Sequence, residues 1–321
     1  MSTTIVDPSR AGGRAYRFLR SIPSWVLWLL VVVWLTPTLG LLVNSFREKA
    51  VQQRQGWWNV LLGHMEGFTL ANYREVLADA TGNVPTIRSG LASSLAIALP
   101  ATIIPIGIAA FAAYAFAWID FRGRQPLFIA TVSLLAIPLQ VALVPLLRLF
   151  NFGAHLTIPW LDKTITVFPN LGLAGTTNAV WLSHTAFGMP FAIFLLHNYI
   201  SSLPRDLFEA ARIDGADHFR IFWRLVLPLS VPVLAAFAIF QFLWTWNDYL
   251  VSNVLLRLVG QPDFQEFPTT LVIAGQASAS FGASEHLLTA GAFVQSAIPL
   301  VVFFLLQRFF VRGLLAGSVK G

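Results

Sequence analysis

The chain has 321 residues, of which 56% are hydrophobic and only 11% charged, and its formal net charge is +6. Apolar runs of about twenty residues recur, which is the length an α-helix needs to cross the hydrocarbon core of a bilayer, so an ordinary soluble domain is excluded. The absence of cysteine excludes disulfides, thiolate catalysis and cysteine-bound metal.

Six membrane-spanning helices are predicted, and the expected fold class is an all-α membrane protein. The apolar segments are continuous and do not alternate with polar residues, and an open sheet in lipid would leave backbone groups without partners, so strands are not expected. In chain order the predicted spans cover residues 24–45, 89–118, 126–150, 178–200, 229–251 and 288–311.

Basic residues are distributed unevenly between the two sides of this topology. With both termini cytoplasmic, the inner segments hold 13 of the 21 Lys and Arg residues and six of the 15 acidic residues, which gives +7 inside and −1 outside. An excess of Lys and Arg on the cytoplasmic side is typical of membrane proteins. Topology in a lipid membrane thus explains the positive charge, and no nucleic-acid partner is expected.

The segments outside the spans define the predicted domain organisation. The first span lacks a small-x-small cleavage site and is longer than a signal peptide, so we expect it to be retained. Residues 1–23 form a polar cytoplasmic lead, and residues 24–321 form the transmembrane permease domain. Within that domain we predict outer loops at 46–88, 152–177 and 252–287, a cytoplasmic loop at 201–228 and a cytoplasmic tail at 312–321.

The cytoplasmic loop begins with signals for a short helix. Ser202 can cap it, Pro204 suits an early helical position, and Asp206 and Glu209 lie near its positive end. Pairing of Glu209 with basic residues three and four positions away would hold it on one face. Gly215 can adopt the left-handed conformation that ends a helix.

The same loop then leads directly back into the membrane. Asp217 can cap a second short helix, and Pro228 marks the entry into the fifth span. Ala210 and Ala211 have almost no side-chain bulk, so another protein can approach closely. We expect a rigid knob joined to a membrane helix, and the alternative is a plain amphipathic connector between spans.

The spacing of these residues carries a family resemblance. Glu209-Ala-Ala, three residues, Gly215, nine residues and then Leu225-Val-Leu-Pro228 resembles the cytoplasmic signature of binding-protein-dependent ABC importer permeases, with Leu225 where Ile is usual. The longer stretch 209–216, the Trp246-Asn247-Asp248 triplet and the tail 307–321 are similar to the carbohydrate, MalG-like branch. The segment 138–148 and the ending Gly-Leu-Leu-Ala-Gly-Ser-Val-Lys-Gly look closest to the α-glucoside permease type, AglG.

This resemblance implies a type I ABC importer permease fold and a set of partners. The partners are a MalF-like second permease, two ATPase subunits, an extracytoplasmic sugar-binding protein and the sugar itself. The cytoplasmic loop would contact the ATPase through Glu209, Ala210, Ala211, Asp214, Gly215, Ala216 and Pro228. The tail would reach the ATPase dimer through Gly317, Ser318, Val319, Lys320 and Gly321.

The positions of the lysines indicate that ATP binds to a different subunit. A phosphate-cradling loop needs a Gly-Lys step, and none of the three lysines, Lys49, Lys163 and Lys320, follows a glycine. No cofactor is therefore expected on this chain, and ATP and Mg²⁺ would bind the partner ATPase. The chain is expected to be a transport subunit and not an enzyme.

Four polar or aromatic residues near the outer end of the fifth span are candidates for the solute path: Gln241, Trp244, Asn247 and Asp248. For each a structural role is the alternative: glutamines in apolar spans commonly bond across helices, tryptophans anchor at the interface, and Asn247 with Asp248 can form a helix-end polar cluster. His184 and His197 lie thirteen residues apart without an expected acidic neighbour, so neither metal binding nor catalysis is predicted.

Taken as a whole, the sequence predicts the permease subunit of an ATP-driven carbohydrate importer in a bacterial or archaeal inner membrane, with an α-glucoside or small oligosaccharide as solute. The same machinery for a polyol, glucosylglycerol or glycerol phosphate is the alternative. A secondary transporter is disfavoured because the spans hold no carboxylate except Asp248 at an edge.

Overall fold

Long apolar helices dominate the structure, a computed structural model that describes residues 23–78, 86–257, 266–279 and 285–318. Residues 1–22 of the predicted cytoplasmic lead lie outside the described residues. The helices and strands are α1 (Ser24–Ser45), α2 (Lys49–Arg54), α3 (Ala71–Val76), α4 (Ile87–Trp118), α5 (Arg124–Ser133), α6 (Leu139–Phe152), β1 (Ala154–Ile158), β2 (Lys163–Phe168), α7 (Thr177–Ser201), α8 (Arg205–Ile213), α9 (His218–Ile221), α10 (Leu227–Leu229), α11 (Val231–Trp246), α12 (Leu250–Ser252), α13 (Thr269–Ala279) and α14 (Glu285–Ser318).

The prediction of six spans is confirmed. Helices α1, α4, α7 and α14 are each long and apolar enough to cross a membrane. The third and fifth spans are bent helix pairs: Arg124–Ala136 meets α6 at 101°, and His218–Leu229 meets α11 at 69°. The first bend lies at Ile137 and Pro138, where a proline disfavours helical geometry in the residue before it.

Close packing of small residues holds the centre of the bundle. Helices α4 and α7 lie along each other, and α11 packs against both α4 and α14. Ala101 and Ala109 on α4 and Ala192 on α7 are fully buried, which lets the helix backbones approach closely where lipid removes the hydrophobic driving force. Helix α1 buries only Gly40 and Ser45 and contacts α14, so it lies at the periphery.

A buried arginine organises the outer segment that follows α1. Arg47 donates from Nη1 to the backbone carbonyl of Gln55 at 3.1 Å, and its own carbonyl accepts from the Nδ2 of Asn72 and the Nε2 of Gln52, both at 2.9 Å. Burial lowers the pKa of the Arg47 guanidinium. The segment that was predicted as a loop is therefore a packed cap containing α2, α3 and a 3-10 turn at Trp57–Leu62.

The expectation that the chain lacks strands was wrong in one place. Strands β1 and β2 pair antiparallel in the second outer segment, with Leu156 opposite Ile165 and Thr157 opposite Thr164. The argument against strands concerned backbone groups inside lipid, whereas this hairpin begins after α6 has ended at Phe152. Its residues alternate between threonine and aliphatic side chains, which is the usual pattern of a two-faced ribbon.

The outer end of the fifth span also differs from the prediction. Helix α11 ends at Trp246, five residues before the predicted boundary, and the chain continues through α12 into a π-helical turn at Asn253–Arg257. Helix α13 occupies part of the third predicted outer loop. The predicted span included the apolar residues Leu250 and Val251, which belong to α12 in the structure.

Candidate functional site

Helix α8, which carries the Glu-Ala-Ala motif, is anchored to the bundle by one aromatic side chain. Phe208 is buried and stacks on the indole of Trp118 at the end of α4, with ring centroids 3.6 Å apart and planes inclined by 15°. The Trp118 indole nitrogen donates to the carbonyl of Ile200 at 3.1 Å, which fixes the platform to α7. The cytoplasmic knob therefore rests on two membrane helices, an attachment that the motif alone did not reveal.

The C-terminal end of α8 is closed by a Schellman motif. Gly215 has φ +77°, its N–H donates to the carbonyl of Arg212 at 3.0 Å, and the N–H of Ala216 donates to the carbonyl of Ala211 at 2.9 Å. This pair of bonds satisfies the last carbonyls of the helix and requires a left-handed residue. The predicted role of Gly215 in ending the helix is thus observed in the backbone.

The following segment is tied to α4 by further aromatic contacts. Asp217 caps α9 by accepting from the N–H of Arg220 at 2.7 Å, as the sequence predicted. His218 Nδ1 lies 2.9 Å from the hydroxyl of Tyr114, and Phe222 stacks on Phe111 with centroids 4.3 Å apart. Residues 222–226 form a π-helical turn that leads into α10 and Pro228.

Two details of the predicted knob are different in the structure. Ser202 does not cap α8, because its hydroxyl donates to the carbonyl of Tyr199 and thus closes α7 instead. Within the described part of the chain Glu209 has no ion pair with Arg205 or Arg212. These side chains are solvent-exposed, where such pairs contribute little.

The outward face of α8 and α9 combines small, acidic and apolar residues. Glu209, Ala210 and Asp214 are exposed, and the large side chains of Ile213 and Phe219 are 86% and 68% exposed. A cavity of about 410 Å³ lies on one side of α8, and one of about 350 Å³ lies between α8 and the segment that follows it. An uncovered apolar patch between concave surfaces is typical of a protein interface.

A cluster of polar side chains lies at the predicted outer end of the bundle, around Asp248. Its carboxylate accepts from the N–H of Val251 at 3.2 Å and from the N–H and hydroxyl of Ser252 at 2.9 and 3.0 Å. Its backbone carbonyl accepts from the hydroxyl of Thr270 on α13 at 2.6 Å. Asp248 therefore joins α11, α12 and α13.

His184 on α7 completes this cluster, and the expectation that it lacks an acidic neighbour was wrong. Its Nε2 lies 3.4 Å from Oδ2 of Asp248, although 64 residues separate the two in the chain. The packing of α11 beside α7 brings them together. Across the described ranges no group of three His, Asp or Glu side chains is arranged to hold a metal ion.

Gln241 joins three spans at one point. Its Nε2 donates to the carbonyls of Ala101 on α4 and His184 on α7, both at 3.1 Å. The amide lies against Gly188, where an added Cβ would be only 2.5 Å from Oε1 of Gln241. The contact therefore requires a residue without a side chain at position 188.

The remaining candidate residues have distinct surroundings. Trp244 is partly exposed and lies edge-on to the His184 ring with centroids 5.5 Å apart, while Asn247 bonds through Nδ2 to the carbonyl of Leu243 in its own helix. Trp244 also lines a cavity of about 380 Å³ between α7 and the third span. Gly317 and Ser318 end α14, whereas Val319, Lys320 and Gly321 lie outside the described residues.

Comparison with known families decides the class of this membrane protein. The family described as the inner membrane component of binding-protein-dependent transport systems matches residues 103–316, a range that includes the knob, Gln241, Asp248 and most of the spans. The chain belongs to this family. It is therefore a multi-pass permease subunit of an ABC importer in the inner membrane and not an enzyme, and the predicted family and fold class are confirmed.

Relatives of this permease are named for different solutes. The osmoprotective compounds uptake permease GgtD of Synechocystis is 46% identical over 96% of this chain and 95% of its own length. The α-glucoside permease AglG of Rhizobium meliloti is 49% identical over 79% of this chain and 61% of its own length. The arabinooligosaccharide permease AraQ of Halalkalibacterium halodurans is 30% identical over 94% of this chain and 98% of its own length.

The fold agrees with that of a solved transporter. A crystal structure of a bacterial ABC transporter involved in the import of the polysaccharide alginate contains a chain that aligns with a TM-score of 0.64 at 18% identity, covering 96% of this chain and all of that one. At this identity the likeness concerns the fold alone.

Proposed function

We propose that this permease is a subunit of an ATP-driven carbohydrate importer and forms the translocation path together with a second, MalF-like permease. Two ATPase subunits would bind ATP and Mg²⁺ on the cytoplasmic side, and an extracytoplasmic binding protein would deliver the solute. The relatives named for α-glucosides and arabinooligosaccharides support a carbohydrate as solute.

The observation that carries the coupling part of this proposal is the attachment of α8. It is an exposed helix held on the bundle by the buried Phe208–Trp118 stack, so a force on its solvent-exposed face passes directly to α4 and α7. In our proposal the ATPase contacts Glu209, Ala210, Ala211, Asp214, Gly215 and Ala216. Pro228, at the start of α10, transmits the movement to the fifth span.

The tail is assigned a second contact with the ATPases. Helix α14 continues through Gly317 and Ser318, beyond Arg308 and Arg312 in the predicted cytoplasmic part of the chain. Gly317, Ser318, Val319, Lys320 and Gly321 would then extend from the bundle toward the ATPase dimer.

For the solute, an α-glucoside or small oligosaccharide is our first choice, and an osmoprotective compound such as glucosylglycerol or a polyol is the second. The 49% identity with AglG favours the former, and the 46% identity with GgtD along nearly the whole chain favours the latter. Gln241, Trp244, Asn247 and Asp248 remain our candidates for lining the path at the outer end, with the hydrogen bonds of Gln241 and Asp248 setting its shape.

Solute-stimulated ATP hydrolysis by the reconstituted complex tests the choice of solute. The complete transporter in proteoliposomes, with its binding protein present, is titrated with maltose, trehalose, sucrose, glucosylglycerol and glycerol. Stimulation and uptake by an α-glucoside supports the first choice, stimulation by glucosylglycerol or glycerol alone supports the second, and uptake without any ATP hydrolysis contradicts both.

Coupling is tested by replacing Gly215 with leucine. A side chain at φ +77° strains the backbone by roughly 1–3 kcal/mol, and no described residue lies within 4 Å of the new Cβ, so in our proposal any crowding arises with the ATPase. We expect Gly215→Leu to insert normally but to lose most solute-stimulated ATP hydrolysis or the co-purification of the ATPase.

The matched control is Gly63→Leu, because Gly63 also has a positive φ, +92°, and an equally open surrounding, but lies in the outer segment. It should retain both coupling readouts. Equal losses in the two variants would show that backbone strain, and not docking, caused the defect.

A further inference from the structure

The hairpin β1–β2 has one polar face and one apolar face. Thr157 and Thr164 pair through their hydroxyls at 3.2 Å, and His155 Nδ1 lies 3.2 Å from the hydroxyl of Thr166. On the opposite face the register places Leu156 beside Ile165 and Ile158 beside Lys163 at the tip, with Val167 next to Ile165. The ribbon is thus amphipathic, and its polar face is already satisfied by bonds within the hairpin.

The apolar face of the hairpin is uncovered in the described chain. Leu156 is 56% exposed, Val167 67% and the turn residue Trp160 85%. Beyond their mutual pairing, neither strand packs extensively against another described element. An isolated two-stranded hairpin is only marginally stable in water, so this face needs a covering surface.

The position and composition of the hairpin indicate what covers it. Helix α6, the second half of the third span, ends at the exposed Phe152, and only Gly153 separates it from β1. The Nδ2 of Asn170 donates to the carbonyl of Asn151 at 2.9 Å, which holds the base of the hairpin at the end of this span. The hairpin is therefore held next to the end of a membrane helix, where the exposed Phe152 also lies.

The tip of the hairpin carries two residue types that are favoured at a membrane–water boundary. Trp160 and Lys163 are the types whose apolar body enters the interface while the polar end stays hydrated. A docking protein that comes and goes would leave the apolar face in water between visits, whereas lipid is always present. We propose that this hairpin lies on the outer surface of the bilayer, with Leu156, Ile165, Val167 and Trp160 in contact with lipid and the threonine face toward water.

Site-directed spin labelling of the assembled transporter in lipid nanodiscs tests this. The chain has no cysteine, so one introduced cysteine gives a unique label when the partner subunits are also cysteine-free. Ile165→Cys and Leu156→Cys report the apolar face, and Thr164→Cys and Thr157→Cys are their matched neighbours on the polar face. We expect the ratio of oxygen to nickel-chelate accessibility to be several-fold higher on the apolar face, and to stay unchanged when the binding protein is added.

Equal ratios on both faces would overturn the proposal, and so would apolar-face labels that are water-accessible until the binding protein covers them. A second measurement leaves both strand faces unaltered. In nanodiscs containing brominated lipids, the fluorescence difference between the wild type and Trp160→Phe isolates this one tryptophan. Quenching of that component is expected, and its absence would contradict lipid contact.

Discussion

The inner and outer ends of the helix bundle differ in their most prominent contacts. Ring stacks predominate at the inner end, beside the Tyr114–His218 hydrogen bond, and hydrogen bonds tie the outer segments to the spans, beside a buried apolar cluster. At the inner end, α8 and the π-helical turn rest on α4 through the ring stacks Phe208–Trp118 and Phe222–Phe111. At the outer end, α12 and α13 are tied to the spans by the hydrogen bonds of Asp248 and by the pair Ser94–Thr269 at 3.0 Å. Stacked rings tolerate small sliding movements, whereas hydrogen bonds weaken steeply with misalignment.

This difference has a mechanical meaning for a permease. A knob held by ring contacts stays attached while its angle changes by small amounts. An outer end held by directional bonds keeps one arrangement until those bonds break. The inner end is therefore suited to receiving a movement, and the outer end to switching between discrete states.

The largest effect is expected from a variant that breaks the attachment of α8 at the inner end. Phe208→Ala removes a buried ring from its stack on Trp118 and should destabilise the docking of α8 by about 3–5 kcal/mol. We expect faster proteolysis at residues 202–216 and loss of solute-stimulated ATP hydrolysis.

The control for this variant is Ile213→Ala, which alters an exposed side chain on the same helix. It should leave the proteolysis rate unchanged while weakening co-purification of the ATPase. If Phe208→Ala left both α8 protection and coupling intact, the ring stack would not be the attachment.

A smaller effect is expected at the outer end. Asp248→Ala leaves the N–H groups of Val251 and Ser252 without their acceptor, and a lost helix cap costs about 0.5–2 kcal/mol. Hydrogen exchange should rise in residues 249–257 and in α13, which is bonded to the carbonyl of residue 248. Asn247→Ala is the control, because the Asn247 amide bonds only within its own helix. Equal exchange rates in the two variants would contradict the assignment of Asp248 as the residue that holds α12 and α13 in place.

The smallest effect concerns the junction of three spans. Gln241→Leu removes the donor to Ala101 and His184, and interhelical hydrogen bonds in membranes contribute about 0.6 kcal/mol on average. A modest decrease in the melting temperature of the purified complex is expected. Gly188→Ala should lower it as well through its clash with the Gln241 amide, whereas Gly107→Ala, with nothing within 4 Å, should not.

The spans and the ends of the knob helices were predictable because their signals are local. Twenty apolar residues, a glycine at the end of α8 and an aspartate before α9 each act on backbone within a few positions. The fold class followed from the same signals together with the charge distribution.

The contacts that join distant segments were not predictable from local patterns. His184 and Asp248 meet because α11 packs beside α7, and no periodicity in either segment indicates this. The stack of Phe208 on Trp118 has the same origin. The hairpin did have a local signal, the alternation of threonine with aliphatic residues from 155 to 167, which the general argument against strands in lipid concealed.

The π-helical turn at Phe222–Val226 has a consequence for the direction in which the knob points. A π-turn accommodates one more residue than an α-helical turn, and each residue of an α-helix advances its facing by about 100°. Because the wider turn absorbs that extra residue, deleting one residue there should give a regular helical turn without rotating the segment before it. The π-helical turn thus accommodates one more residue between the knob and the fifth span while the Glu-Ala-Ala face keeps its direction relative to the membrane helices.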